Sequence, residues 1–436
     1  MIHSLISKSN IKTEIIGGIT TFITMAYIIF VNPAILSSGG VDFEAVAVAT
    51  CIGAGIMTIV MGLYSGYPYA LAPGMGINAV VAFTLCAQMK LSYSVAMGII
   101  VIEGIIVTIL VLTRVRETVM NAIPKTIKLG IGVGIGLFIA FIGMSHGGIV
   151  VADPVTMVRL GKVTEPYVLV TVIGLIATAV LSSLRVKGGL LIGILITGLI
   201  GLLAGVVKPP REIISLPDNF TTLFNYDLSV VLNFALWPMI FALFMTDFFD
   251  TMGTIIGVGE EGGFLDENCL LPRLKNVLLV DSLSAVCGGV CGSSSVTTYI
   301  ESAAGVAEGA RTGIASLVTG VLFLLSLFLI PLVQVIGGGY EVLPGVYKYP
   351  VTAPALIVVG FLMMSTIKNI DFKKYEESIP AFLTIIGIPL TYNISHGIGF
   401  GFISYTLIKI LTGQTRDIHP LLYVFSALFA LNFAIS

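Results

Sequence analysis

The chain has 436 residues, 56% of them hydrophobic and 11% charged, with a formal net charge of −2 and a mean hydropathy of +1.04. Ordinary soluble domains carry about 25% charged residues, so this composition excludes a water-soluble fold of this size. The near-neutral charge gives no sign of a nucleic-acid partner.

Residues 1–14, MIHSLISKSNIKTE, carry no small-residue cleavage site after their first apolar run, so this stretch is expected to be retained as a cytoplasmic N-terminus. Apolar runs long enough to cross a hydrocarbon core about 30 Å thick then recur along the chain. They fall at 15–36, 44–65, 69–88, 93–113, 126–143, 167–184 and 189–207, and again at 232–258, 273–291, 294–309, 312–336, 351–367, 378–393 and 395–412. A last apolar segment, 419–435, either crosses again or lies in the interface. The reading is an all-α polytopic membrane protein of seven plus seven spans, and the many glycines fit close helix packing in lipid.

Positive residues set the orientation, because short cytoplasmic loops carry the Lys/Arg excess. With Lys8 and Lys12 inside, the fourth loop (Arg114, Arg116, Lys125, Lys128), the sixth (Arg185, Lys187) and the twelfth (Lys368, Lys373, Lys374) also fall inside, as do Lys409 and Arg416. An odd number of spans per half inserts the second half upside down relative to the first, the inverted repeat of many secondary transporters.

The third span of each half is abnormal. "YPYALAPGMGINAVVAF" carries Pro73, Gly74 and Gly76, and "GSSSVTTYIESAAGVAEGA" opens polar and β-prone. Non-helical backbone at membrane depth is tolerated only when buried in protein or lining a cavity. Spans three and ten are therefore each expected to be a short strand followed by a half-helix, and the two strands to meet near the bilayer midplane.

Ionisable groups inside spans are costly and are functional candidates. Five qualify: Glu103, Asp247, Asp250, Asp281 and Glu301. Glu301 sits where strand becomes half-helix, in the first turn, where the helix dipole favours negative charge. Asp250 in "FMTDFFDTMGTIIG" has Thr251 and Thr254 beside it and is expected to contact ligand, with Asp247 packing behind it one turn earlier. Glu103 and Asp281 are read as hydrogen-bonded packing acids, either of which could relay protons. Tyr27, Phe248, Phe249 and Tyr299 could stack on a planar ring, and His396 is read as a turn residue.

The five cysteines, Cys51, Cys86, Cys269, Cys287 and Cys291, are read as small hydrophobes rather than a disulfide framework. Cys287 and Cys291 lie one turn apart without further ligands nearby, so no metal and no cofactor are expected. Lysine and arginine sit almost wholly in loops, which leaves the two acids without a basic match and argues for a neutral ligand rich in N–H donors, or a cationic one. Desolvation disfavours an ionised carboxylate, so proton uptake can accompany ligand binding.

Several strings carry a family likeness. "GITTFITMAYIIFVNPAIL", "ALAPGMGINA", "TDFFDTMGT", "TTYIESAAG", "TAPALIVVGFLMM" and "GIGFGFISY" resemble the AzgA-like hypoxanthine–guanine permeases, a branch of the nucleobase–cation symporters that includes uracil and xanthine permeases, over nearly the whole chain. The resemblance implies a core domain of 15–113 (spans 1–4) and 232–336 (spans 8–11), and a gate domain of 126–207 (spans 5–7) and 351–412 (spans 12–14). It implies a purine held by Asp250 and Glu301, with edge hydrogen bonds from backbone around Ala72 to Gly74 and Thr298, Tyr299 and Ile300, and with Asn78 linked to purine binding. The proton-coupling candidates are Glu301, Asp250, Thr254 and Asp247. Thr254 stands where the uracil branch has a proton-linked histidine, so that relay is not copied directly. Glu301 is followed by Ser302, unlike the xanthine–uric acid branch, which favours hypoxanthine, guanine or adenine.

The expected activity is proton symport of a purine nucleobase into the cell across the cell membrane by alternating access, with no catalysis. Its partners are the nucleobase, protons and the lipid bilayer; a homodimer is compatible with the reading, and no nucleic acid is involved. The alternatives are an anion transporter of the sulfate or bicarbonate type on the same fold, and an intramembrane aspartyl protease.

Overall fold

The computed structural model describes residues 10–113, 123–210, 212–229, 233, 236–266, 271–344 and 346–435; Lys8, Arg114, Arg116 and Cys269 lie outside these residues. The first expected span is two helices, α1 (Ile11–Met25) and α2 (Ile28–Leu36), interrupted at Ala26 and Tyr27. Next come α3 (Phe43–Ser65), β1 (Leu71–Pro73) and α4 (Met75–Ala79), which runs on as a π-helix over Val80–Gln88, then α5 (Tyr93–Thr113) and α6 (Lys125–His146). A hairpin of β2 (Val150–Asp153) and β3 (Met157–Leu160) leads to α7 (Pro166–Ser183) and α8 (Gly189–Leu203).

The second half opens with α9 (Trp237–Gly262), α10 (Leu274–Cys291), β4 (Val296–Thr298) and α11 (Ser302–Ala307). It continues through α12 (Gly313–Leu325), α13 (Ile330–Gly337), a second hairpin of β5 (Tyr340–Leu343) and β6 (Val346–Lys348), α14 (Ala353–Met364), α15 (Tyr375–Thr391) and α16 (Ile394–Leu411). The apolar segment after position 418 forms α17 (Pro420–Ile435), which packs on α16 and α9. Among the described residues, nine helical stretches are long and apolar enough to cross a membrane. The chain is thus a mainly helical membrane-type protein with short strands, and the third segment of each half is a strand followed by a short helix.

Local chemistry explains the boundaries. Asp42 caps α3 by accepting from the Ala45 amide at 2.9 Å, and Asn393 caps α16 by accepting from Ser395 and His396 at 2.9 and 3.3 Å. His396 therefore lies in the first turn of a helix. The two hairpins outside the helices were not anticipated from the sequence. In the first, the Asp153 carboxylate accepts from the Val155 and Thr156 amides, both at 2.9 Å, and so closes a tight turn.

Packing falls mainly within two sets. One joins α1, α2, α3, α5, α9, α10 and α12 around the strands; the other joins α6, α7, α8, α14, α15 and α16. Each set contains a glycine-lined crossing. A Cβ added at Gly320 of α12 would lie 2.6 Å from the Gly55 carbonyl oxygen of α3, and one added at Gly136 of α6 would lie 2.7 Å from the Gly360 oxygen of α14. Without an apolar-burial drive between helices in lipid, backbone approach of this kind supplies the contact.

Candidate functional site

The site is built on two strands drawn from opposite halves of the chain. β1 pairs antiparallel with β4 in the register Leu71 to Thr298, Ala72 to Thr297 and Pro73 to Val296. A two-stranded ribbon has two bare edges, and buried backbone groups left unpaired are costly. Side chains from the second span of each half cover them. On the β1 edge, the Thr58 hydroxyl of α3 accepts from the Leu71 amide at 2.9 Å and donates to its carbonyl at 3.0 Å. On the β4 edge, the Asp281 carboxylate of α10 accepts from the Thr298 amide at 2.9 Å, and the Ser284 hydroxyl donates to the Val296 carbonyl at 2.6 Å. Asp281 also accepts from the Thr251 hydroxyl at 2.7 Å and from that of Thr297 at 3.3 Å, tying α9 to the strand next to Asp250.

Beyond the ribbon, a cavity of about 830 Å³ opens between the two helix sets. Its strand-side wall is Tyr27, Gly74 to Ile77, Asp250, Thr254 and Thr298 to Glu301; the facing wall includes Ile131, Ile135, Val359 and Met363. Gly76 permits this closeness, since a Cβ there would meet Ile135 Cγ2 at 2.9 Å. Glu301 is the residue just before α11, and its Oε1 accepts from the Tyr27 hydroxyl at 2.6 Å. Tyr299 donates through its hydroxyl to the Pro73 carbonyl at 2.5 Å, locking β1 to the turn after β4. The cavity is mostly apolar with a few converging polar groups, the usual character of a small-molecule site.

The structure brings together Asp250, Glu301, Gly74, Thr298, Tyr299, Ile300 and Thr254 on one cavity. Other expected site residues fall elsewhere. Asp247 is buried behind the wall, 3.5 Å from the Ser295 hydroxyl; Asn78 is fully buried and Ala72 is inside the ribbon, neither among the lining residues. Two of the expected edge amides are engaged within the protein. The Gly74 amide donates to the Ser295 carbonyl and the Tyr299 amide to the Ala70 carbonyl, both at 2.9 Å, so both are spent within the protein. The first amides of α4 have no acceptor within their own helix, and Met75, Gly76 and Ile77 line the cavity in their place.

A further correction concerns charge. Lys125 and Lys128, in the first turn of α6, line the same cavity, so the acids are not without basic residues in reach of the space. Their position at a helix end puts them at one lip of the cavity, while the acids sit at the strands. Sequence reasoning read them as loop charges because periodicity does not show that α6 leans over the ribbon. Thr58 and Ser284 were missed altogether, since hydroxyls within helices ordinarily bond back to their own backbone.

A membrane-type domain with paired short strands, short helices that start from them and a cavity between two helix sets is an architecture found among membrane transporters. The chain belongs to the xanthine/uracil permease family: the family model described as "Permease family" matches residues 12–400. It is 42% identical to the guanine/hypoxanthine permease PbuO of Bacillus subtilis, over 98% of this chain and 98% of that one. It is 41% identical to the adenine permease AdeP of Escherichia coli, over 97% of this chain and 92% of that one. Among solved structures, it resembles the transmembrane domain of the cyanobacterial bicarbonate transporter BicA with a TM-score of 0.63, at 14% identity, over 89% of this chain and 98% of that one. That likeness is one of fold. The protein is a permease and not an enzyme, which removes the aspartyl protease alternative.

Proposed function

We propose that this chain imports a purine nucleobase, with hypoxanthine, guanine and adenine as the candidates, across the cell membrane by proton symport. The carrying observation is that Asp250 and Glu301 line one cavity beside the paired strands. Purine ring N–H groups can donate to both carboxylates, each charge-assisted bond contributing roughly 1.5 to 3 kcal/mol. The names of the relatives PbuO and AdeP support the substrate class. A site built on such bonds rejects analogues that lack the N–H, because an acceptor is then buried unpaired.

In this reading the N-terminus is cytoplasmic and Lys125 and Lys128 mark the inner mouth of the cavity, so the state described faces the cytoplasm. Transport follows when the strand-bearing set, the core domain, shifts against the second set, the gate domain, and carries the site across. A proton taken up at Asp250 or Glu301 alongside the purine would couple the two movements, with Asp247 and Thr254 as neighbouring polar groups.

A second reading, anion transport on this fold, draws on the two lysines at the lip and on the likeness to BicA. The acids at the strands weigh against it, because an anion would have to bind beside two carboxylates. Proteoliposome uptake decides between them. Labelled hypoxanthine, guanine or adenine should accumulate when the outside is acidified, with sulfate and bicarbonate excluded; accumulation of an anion and no purine would reverse the conclusion. Glu301→Gln should abolish purine uptake while leaving the melting temperature of the detergent-purified protein near that of the wild type.

A further inference from the structure

We infer that Tyr27 is a positioning residue for Glu301, holding one carboxylate oxygen so that the other is presented to the substrate. The inference rests on the purine reading above. Among the described residues, the Tyr27 hydroxyl is the one side chain that donates to the Glu301 carboxylate, at 2.6 Å. Glu301 makes no side-chain capping bond to α11, and the other hydrogen bond to its carboxylate comes from its own backbone, so Tyr27 is the one side chain that orients it. Tyr27 is placed to do so: it is fully buried, and it stands at the turn between α1 and α2, where its carbonyl accepts from the Phe30 and Val31 amides at 3.1 and 3.0 Å.

Ala26 and Tyr27 keep right-handed helical dihedrals, so the turn is a slight irregularity in one apolar span and Tyr27 stands at it facing Glu301. The same end of α1 approaches Glu301 a second time, with the Thr24 hydroxyl 3.5 Å from the Glu301 carbonyl oxygen. Two halves of the chain thus meet at this acid: the carboxylate comes from the second and the donor that aims it from the first. A carboxylate left to rotate must be ordered by the substrate on binding, and that ordering weakens affinity.

The test compares wild-type protein and Tyr27→Phe, reconstituted at full length, for uptake of the preferred purine and of its ring-nitrogen-methylated analogues. Removing the hydroxyl should raise KM by roughly tenfold to a hundredfold, the range a lost charge-assisted hydrogen bond supports, with Vmax within about twofold. The penalty should vanish for the one methylated analogue that lacks the N–H facing Glu301, because that analogue gains nothing from an aimed carboxylate. A purely structural role would instead lower uptake of all analogues alike, and that result, or an unchanged KM, overturns the inference. If Tyr27→Phe does not fold, 3,5-difluorotyrosine at position 27 keeps the shape and strengthens the donor; an unchanged KM there also overturns it. Wild-type protein that takes up no purine would overturn the purine reading together with this one, whereas wild-type uptake with an indifferent Tyr27→Phe overturns this one alone.

Discussion

Thr58 does the work of a third strand with one hydroxyl. It serves both the amide and the carbonyl of Leu71, and a valine of nearly the same shape would leave both buried and unpaired. Each such group costs about 1 to 3 kcal/mol, so Thr58→Val should destabilise the protein by about 2 kcal/mol or more, seen as a lower melting temperature in detergent. Thr58→Ser should restore most of it. The acids at the site were legible because charge within an apolar run is rare enough to stand out. Thr58 was not, since a threonine in a helix carries no signal until the strand beside it is known. Asn78 is a different case: the string resemblance links it to purine binding, and here its side chain is fully buried and is not among the residues that line the cavity.

At the scale of the element, Pro73, Gly74 and Gly76 betrayed β1 and α4, and the β-branched run before Glu301 betrayed β4, because neither segment could be a plain helix. The turn between α1 and α2 was invisible: it contains no proline or glycine, and Ala26 and Tyr27 keep right-handed helical dihedrals. The two hairpins were lost in what read as connecting loops. In the β2–β3 hairpin the Thr156 and Val155 amides, with Arg159 nearby, hold the Asp153 carboxyl below its usual range. A depressed folded value contributes stability above the ordinary aspartate range, and that contribution is lost as pH falls through the folded value. Cleavage of the 153–157 turn by an acid-active protease should therefore rise only under strongly acidic conditions, and Asp153→Ala should permit it at neutral pH with a neutral protease. The glycine crossings offer a harsher test. Gly320→Val would drive a side chain into the Gly55 carbonyl and Ile59 of α3, so folded yield should collapse, whereas the same change at Gly253, with nothing within 4 Å of an added Cβ, should leave yield nearly unaltered.

Over the whole molecule, the cavity reaches along α6 from Lys125 to Ile135, and one turn further on the helix meets an aromatic cluster. Phe83 of the strand-bearing set lies against Phe138 and Tyr392 of the other, with ring centroids 6.4 and 5.6 Å apart, and Ser38 Oγ stands 3.3 Å from His146 Nε2. If transport moves one set past the other, these contacts must part. Ser38→Cys with His146→Cys should then cross-link under a short bifunctional thiol reagent and stop uptake, with each single variant still active after the same treatment. Two strands of three residues, separated by more than two hundred positions in sequence, also mean that neither repeat is self-sufficient. Made as separate polypeptides, each would present an unfinished seam to oil, and the pair should recover transport only when synthesised in the same membrane, each fragment serving as the other's template.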